Sequence, residues 1–171
     1  MSTHLILGGA RSGKSAFAAR LATESGLPVL FVATARATDA EMTQRIRQHQ
    51  ASRPAHWQLL EEPVQLGSVL ATHAGSDRLL LVDCLTLWLT NLLLHEDASR
   101  LEQERAALCQ ALHASAGPVL LVSNETGLGV VPMGALTRRF VDENGLLNQQ
   151  LAQYCTRVTW VVAGLPLSLK G

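Results

Sequence analysis

Residues 8–15 have the spacing of a phosphate-binding loop. The segment reads Gly-Gly-Ala-Arg-Ser-Gly-Lys-Ser and fits the pattern G-x-x-x-x-G-K-[ST]. In such a loop the backbone N–H groups converge on phosphate oxygens, Lys14 adds a positive charge near the β- and γ-phosphates, and the Ser15 hydroxyl can bind Mg²⁺. A glycine-rich turn could fit the pattern by chance. However, an apolar segment at 4–7 predicts a strand before the loop, and residues 16–22 predict a helix after it. The sequence therefore predicts a nucleotide site.

A carboxylate follows a second apolar segment downstream of this loop. Residues 78–82 read Arg-Leu-Leu-Leu-Val and are followed by Asp83. In P-loop proteins an aspartate in this position holds Mg²⁺ directly or through water. Apolar strands ending in Asp are common, so the pattern has weight only because the phosphate-binding loop precedes it.

His49 is the histidine with the strongest case for chemistry. It follows Met42 and Ile46 at helical spacing, with Arg45 and Arg53 one turn away on either side. A histidine on an apolar stripe is more often a packed core residue. Here the arginines would attract phosphate and disfavour protonation of the imidazole, leaving a neutral nucleophile. Both interpretations stay open on spacing alone.

Three further segments end or follow predicted strands, at the edge where open α/β sheets bind ligands. Thr34 follows the strand at 29–33 and is either a strand-end hydroxyl or a nucleotide contact. Glu61 ends a short predicted strand near Trp57 and is either a solvated charge or a ligand to a sugar or base. Residues 124–132, after the strand at 119–123, form either a simple connection or an acceptor-binding loop.

Composition indicates a single domain over residues 1–171. The chain is 47% hydrophobic, and 14 Lys+Arg balance 14 Asp+Glu, which does not favour a nucleic-acid-binding surface. Cys84, Cys109 and Cys155 lack metal-ligand spacing and indicate reduced thiols in a cytoplasmic protein. The apolar run 79–94 is interrupted by polar residues, which predicts a strand and a helix and no membrane span.

Strands alternating with helices predict an α/β fold with a mostly parallel sheet and a possible antiparallel edge strand, and residues 158–162 and 165–169 predict two closing strands. Thr38 to Glu41 and Ser99 to Glu102 have the pattern of helix capping boxes. Residues 136–155 predict a helix, with a possible break at Gly145.

Together these segments resemble one family, the bifunctional adenosylcobinamide kinase / adenosylcobinamide-phosphate guanylyltransferase of cobalamin biosynthesis. The resemblance covers nearly the whole chain in the family's order. Asp83 stands where some members carry Glu, which keeps the carboxylate. The matching segments are G-G-A-R-S-G-K-S at 8–15, V-A-T-A-R at 32–36, E-M-x-x-R-I-x-x-H at 41–49, R-P-x-x-W-x-x-x-E at 53–61, V-D-C-L-T at 82–86, S-N-E-T-G-L-G-V-V-P at 123–132 and R-x-F-x-D-x-x-G-x-x-N-Q at 138–149.

The resemblance implies a P-loop NTPase fold of the RecA-like type, Mg²⁺ as cofactor, ATP and GTP as substrates, and adenosylcobinamide and its phosphate as acceptors. It implies a homo-oligomer, with a trimer expected. His49 and Lys14 would be catalytic, with His49 carrying GMP from GTP to the acceptor, and Ser15 and Asp83 would hold the metal. The implied nucleotide-binding residues are Gly8, Gly9, Ala10, Arg11, Ser12, Gly13, Lys14, Ser15, Thr34, Ala35, Arg36, Gln50, Ala51, Ser52, Arg53, Glu61 and Asp83.

Three other classes of protein share some of these features. A regulatory GTPase would need an N-K-x-D guanine motif, which the sequence lacks. A simple small-molecule kinase would use Lys14 and Asp83 without needing His49. A non-catalytic module would bind GTP and assemble with partners through the apolar helix at 85–94.

Overall fold

Strand β1 (Thr3–Gly8) leads into the phosphate-binding loop and then into helix α1 (Lys14–Glu24), as the sequence predicts. The computed structural model describes residues 3–36, 43–44 and 53–171. All six residues of β1 are buried, because a strand pairs with each of its two edges and helices cover its two faces. The loop that follows β1 therefore starts from a rigid position near the centre of the sheet.

The described part of the chain forms one seven-stranded sheet in the order β3-β2-β4-β5-β1-β6-β7. Every neighbouring pair is parallel except β6 and β7, which are antiparallel. This confirms the predicted mostly parallel sheet with an antiparallel edge. The remaining strands are β2 (Val29–Ala33), β3 (Gln58–Glu61), β4 (Leu79–Asp83), β5 (Val119–Asn124), β6 (Arg157–Val162) and β7 (Leu165–Lys170).

Helices cover the sheet on both faces, so alternate strand residues enter two separate cores. In β1, Leu5 and Leu7 pack in the core on the side of four helices, whereas Ile6 packs in the core on the side of α1. Burial on both faces explains why these strands are continuous apolar runs. The four helices are α2 (Leu66–His73), α3 (Leu85–Leu93), α4 (Arg100–His113) and α5 (Ala135–Tyr154).

A two-residue turn joins the last two strands. Ala163 and Gly164 both have positive φ, 52° and 79°, which suits the twist of a tight hairpin. Strand β7 is exposed along its whole length, as expected for an edge strand.

Two sequence predictions about helices are wrong. Helix α5 is not broken at Gly145: it runs unbroken from Ala135 to Tyr154, because a single glycine costs only about 1 kcal/mol and buried residues along the helix outweigh that cost. The capping box at Ser99 does not form, since the Ser99 hydroxyl donates to Asp97 and accepts a hydrogen bond from Gln103. The capping box predicted at Thr38 lies outside the described residues.

No helix in the described part of the chain has both the length and the apolar character needed to cross a lipid bilayer.

Candidate functional site: a phosphate cradle at the carboxyl edge of the sheet

The loop between β1 and α1 is held by hydrogen bonds to one of its own backbone carbonyls. The amide of Ser12 donates to the carbonyl of Gly9 at 3.2 Å, and the Lys14 ammonium donates to the same carbonyl at 3.1 Å. Arg11 and Gly13 have positive φ, 55° and 94°. Such alternation of backbone conformation turns successive N–H groups toward one concave side, which is the geometry of an anion-binding nest. Lys14 is buried and holds its charge within this loop.

The hairpin turn between β6 and β7 supports the loop from outside. The amide of Gly164 donates to the carbonyl of Ser12 at 2.8 Å. A Cβ at Gly13 would lie 3.1 Å from the Cα of Gly164, so the two backbones are already in close contact. Sequence reasoning missed this support, because no motif links residue 164 to residue 12.

Asp83 and Glu61 end the two strands that flank β2. Both are in register with Ala33, Asp83 from β4 and Glu61 from β3. The carboxyl ends of parallel strands meet at one edge of the sheet, so both carboxylates lie on the edge from which the phosphate-binding loop also leaves. The structure thus brings Glu61 and Asp83 together as neighbours of one strand.

Arg53 lies within the electrostatic reach of both carboxylates. Burial lowers the pKa of the Arg53 guanidinium, while the negative charges of Asp83 and Glu61 act in the opposite direction. The guanidinium also sits over the ring of Phe31, 4.3 Å from its centroid. An open groove of about 340 Å³, which Arg53 and Trp57 help to line, lies beside it. Arg53 is therefore a fixed cation at the edge that carries the two acids.

The pKa of the Cys84 thiol is shifted by burial and by nearby charges. Its pKa is raised to about 11, chiefly by burial and then by the charge of Asp83, while the charge of Lys14 lowers it. The charges of both Lys14 and Asp83 thus act on this thiol, which directly follows Asp83 in the chain. A thiol with this pKa stays protonated at neutral pH and is not a nucleophile.

Thr34 has a structural contact at this edge. Its hydroxyl donates to the carbonyl of Cys84 at 2.7 Å and accepts from the Cys84 amide at 3.1 Å. The Asn91 side chain donates to the Thr34 carbonyl at 2.8 Å and to Pro63 at 3.0 Å. Thr34 is completely buried and ties the end of β2 to that of β4. Its nucleotide contact stays a prediction, as do those of Ala35, half-buried, and Arg36, exposed.

The loop after β5 begins beside the phosphate-binding loop. The Glu125 amide donates to the Gly8 carbonyl at 3.1 Å, and the Asn124 amide donates to the Thr86 hydroxyl at 3.0 Å. Two buried asparagines of α5, Asn144 and Asn148, donate to the Asn124 carbonyl at 2.8 and 3.0 Å. Sequence reasoning missed this pair, although amides four residues apart on a buried helix face could have indicated it.

Ser15 and Asp83 are suited to bind Mg²⁺ with a nucleotide. Among the described residues, no group of three or more His, Cys, Asp or Glu side chains could hold a metal by itself. Magnesium in nucleotide enzymes is bound by one or two protein oxygens together with phosphate oxygens and water, so a hydroxyl and a carboxylate fit this cation. Its presence here stays a prediction.

Four predicted site residues lie outside the described part of the chain. They are His49, Gln50, Ala51 and Ser52. The arrangement of the imidazole relative to Lys14 and Asp83 is therefore an expectation from the sequence.

Comparison with known proteins identifies the family. A family model described as "Cobinamide kinase / cobinamide phosphate guanyltransferase" matches residues 4–169. The chain is 62% identical over 167 residues to the bifunctional adenosylcobalamin biosynthesis protein CobP of Pseudomonas aeruginosa, covering 98% of this chain and 96% of that protein. It is 37% identical over 179 residues to the bifunctional adenosylcobalamin biosynthesis protein CobU of Escherichia coli, covering 97% and 98% respectively.

Solved structures of P-loop proteins share the fold at low sequence identity. The flagellar accessory protein FlaH of Methanocaldococcus jannaschii superposes with a TM-score of 0.52 at 16% identity, covering 99% of this chain and 78% of that one. The RadB recombinase gives 0.52 at 17% identity, covering 93% and 73%. These likenesses confirm the P-loop NTPase fold. The family model and the two relatives in turn show that this chain belongs to the cobinamide kinase / cobinamide phosphate guanyltransferase family.

Proposed function

We propose that the chain uses one phosphate cradle for two reactions: phosphorylation of adenosylcobinamide with ATP or GTP, and transfer of GMP from GTP to adenosylcobinamide phosphate through His49. The observation that carries this proposal is the buried Lys14 ammonium inside the folded loop 9–13, at the edge that bears Asp83 and Glu61. A cation and converging amides at a helix N-terminus suit a triphosphate.

In the kinase step, the acceptor hydroxyl attacks the γ-phosphorus. The bond between that phosphorus and the β–γ bridging oxygen breaks, the nucleoside diphosphate leaves, and the hydroxyl loses its proton. Lys14 and the loop amides stabilise the charge that develops on the transferring group, which is the main contribution a P-loop makes. Ser15 and Asp83 would hold Mg²⁺, which neutralises phosphate charge when bound.

In the guanylyl step, an imidazole nitrogen of His49 attacks the α-phosphorus of GTP. The bond to the α–β bridging oxygen breaks and pyrophosphate leaves, so GMP is held on the histidine as a phosphoramidate. A phosphate oxygen of adenosylcobinamide phosphate then attacks the same phosphorus, and the nitrogen–phosphorus bond breaks to release His49. A covalent relay divides one difficult displacement into two easier ones. Arg53, with Arg45, would hold the phosphates during this relay.

The decisive experiment needs no corrinoid. The protein incubated with GTP and Mg²⁺ should gain the mass of one GMP and release one pyrophosphate. The label should be lost in acid and kept in alkali, because a phosphoramidate behaves in this way and a serine ester does not. His49→Ala should lose the label and guanylyl transfer while keeping much of the kinase activity.

The matched control is His56→Ala, which removes a nearby histidine beyond Pro54. This variant should label normally. Undiminished labelling of His49→Ala, or label that maps to His56, would refute the assignment of His49, whereas no labelling of the unmodified protein would favour a simple kinase.

We further propose a single catalytic domain over residues 1–171, a homo-oligomer, with a trimer expected from the family, and a cytoplasmic location. The three cysteines support the last point, since Cys84, Cys109 and Cys155 are all free thiols. Size-exclusion chromatography with light scattering would test the oligomeric state.

A further inference from the structure

Residues 126–136, here called the strap, form an uncharged and outward-facing segment that follows β5 and includes the first two residues of α5. The strap contains no Asp, Glu, Lys or Arg, although 16% of the chain is charged. Val130 and Met133 are each 96% exposed, and Leu128 and Val131 are each 73% exposed. Exposed apolar side chains clustered in one short segment are typical of a surface that binds a ligand or a partner.

The strap is fastened at both ends to helix α5. At its start, Asn144 donates to the carbonyl of Asn124 and, at 3.2 Å, to the hydroxyl of Thr126. At its end, Arg138 donates to the carbonyl of Pro132 at 3.1 Å and to that of Met133. The apolar side chains are therefore presented outward by a backbone that is held in place.

The strap lies beside both the nucleotide edge and an apolar groove. Its first residue is two positions after Asn124 and one after Glu125, whose amide bonds to Gly8 at the start of the phosphate-binding loop. Its last residue, Leu136, lines a groove of about 230 Å³ between α3 and α5, together with Leu93, Leu94 and Phe140. The strap thus begins one residue after a contact with the phosphate-binding loop and ends at the apolar groove.

We propose that the strap and this groove bind the corrinoid ring of the acceptor while its aminopropanol arm reaches the phosphates. This inference rests on the proposed function. A corrinoid presents methyl groups and uncharged carboxamide chains, which match an apolar segment without charges. The nucleotide, in contrast, needs the charged residues Lys14, Arg53 and Asp83. The two substrates therefore need protein surfaces of different character. These surfaces adjoin where the Glu125 amide donates to the Gly8 carbonyl.

A second copy of the chain is the other candidate occupant of an exposed apolar face. The corrinoid is favoured because the strap begins beside the phosphate cradle. An acceptor must reach that cradle, whereas a subunit contact need not. The test is designed to separate the two occupants.

The experiment replaces Val130 and Met133 with serine in one variant. Both side chains are exposed, so the fold does not depend on them. The KM for adenosylcobinamide in the kinase reaction should rise about tenfold, as expected when apolar contact is lost. The KM for ATP or GTP, and labelling with GMP in the absence of corrinoid, should stay unchanged. The matched control is Leu169→Ser, which removes an exposed leucine of the edge strand β7 and should change none of these quantities.

Equilibrium dialysis with adenosylcobinamide gives an independent readout, since it requires no catalysis. Weaker binding to the strap variant at an unchanged oligomeric state supports the proposal. Unchanged binding and KM would overturn it. Weaker binding only when the oligomer dissociates would also overturn it and would assign the strap to a subunit contact. Absence of GMP labelling in the unmodified protein would instead contradict the proposed histidine chemistry, whatever the dialysis shows.

Discussion

The amide of Gly164 donates a hydrogen bond to the carbonyl of Ser12, 2.8 Å away and 152 positions earlier in the chain. The phosphate-binding loop is thus supported by the turn of the last hairpin. Because Gly13 and Gly164 are in near contact, a shift of either backbone moves the other.

Gly164→Ala should therefore weaken nucleotide binding indirectly, by shifting the phosphate-binding loop that the turn supports. Gly164 has φ of 79°, and an alanine in the left-handed region costs about 1 kcal/mol. We expect a several-fold rise in the KM for GTP and a melting temperature lower by a few degrees. The control is Gly145→Ala in α5, where a Cβ would meet no atom within 4 Å and should stabilise the helix by about 0.5–1 kcal/mol. Equal KM values for the two variants would contradict the role of the turn.

Lys14→Ala should abolish both activities while the fold persists. The ammonium lies inside the loop that would hold the transferring phosphates, and removing such stabilisation typically lowers rates by about a hundredfold or more. Kinase and guanylyl-transfer assays beside circular dichroism would measure this. Arg20→Ala is the matched control, since Arg20 lies on the same helix, is exposed and pairs with Glu24. A folded Lys14→Ala variant with near-normal kinase activity would show that the loop is not the phosphate site.

Asp83→Asn should lower kinase turnover sharply and raise the Mg²⁺ concentration needed for half-maximal activity. The substitution keeps the shape of the side chain but removes the charge that would hold the metal. Thermal melts distinguish a metal ligand from a structural acid, because a structural role would make the variant unstable. Asp77→Asn, an exposed acid just before β4, should behave like the unmodified protein. A stable and fully active Asp83→Asn variant would reject both roles.

His4 should make the fold sensitive to acid. The ring is buried, shares a 2.8 Å hydrogen bond with the Thr159 hydroxyl, and has its pKa lowered to about 4 by burial and then by the charge of Arg157. Because the unfolded chain has the higher pKa of 6.5, it binds the proton first as pH falls. The contribution of His4 to the free energy of unfolding is therefore fully present above pH 6.5. It falls by roughly 3 kcal/mol as the pH drops from about 6.5 to about 4.

Urea unfolding at a series of pH values would test this dependence. His4→Gln can still hydrogen-bond to Thr159 but does not titrate, so it should show a smaller loss of stability over the same interval. His113→Gln, at the exposed end of α4, is the control and should leave the loss unchanged. A loss of the same size in His4→Gln would assign the acid sensitivity to other groups.

Local sequence patterns were sufficient to predict the sheet and the positions of the loop 8–15 and of two strand-end carboxylates. Buried parallel strands are continuous apolar runs, and the loop 8–15 has its glycines, lysine and serine at fixed spacing. The carboxylates Glu61 and Asp83 could be placed because the carboxyl ends of parallel strands share one edge. The break at Gly145 was predicted from one residue and was wrong, since burial along a twenty-residue helix outweighs a single unfavourable position.

Contacts between distant segments could not be predicted in this way. The support of Ser12 by Gly164 depends on tertiary packing and leaves no local pattern, and the spacing of Asn144 and Asn148 indicates a shared helix face but not their partner Asn124. Ser99 had the pattern of a cap, but the neighbouring Asp97 accepts hydrogen bonds from both its amide and its hydroxyl. The sequence thus indicates which residues can do chemistry more readily than which residues hold them in place.

The position of β1 in the sheet has a consequence for how the protein is made on the ribosome. Strand β1 and the phosphate-binding loop are synthesised well before β5 and β6, the two strands that pair with β1, which begin at residues 119 and 157. Contacts of such large sequence separation form late and slow folding. The nascent loop therefore lacks both neighbouring strands, and the turn that supports Ser12, until residue 164 has emerged. We therefore expect nucleotide binding to require these later strands, and a nucleotide to stabilise the folded molecule and not the incomplete chain.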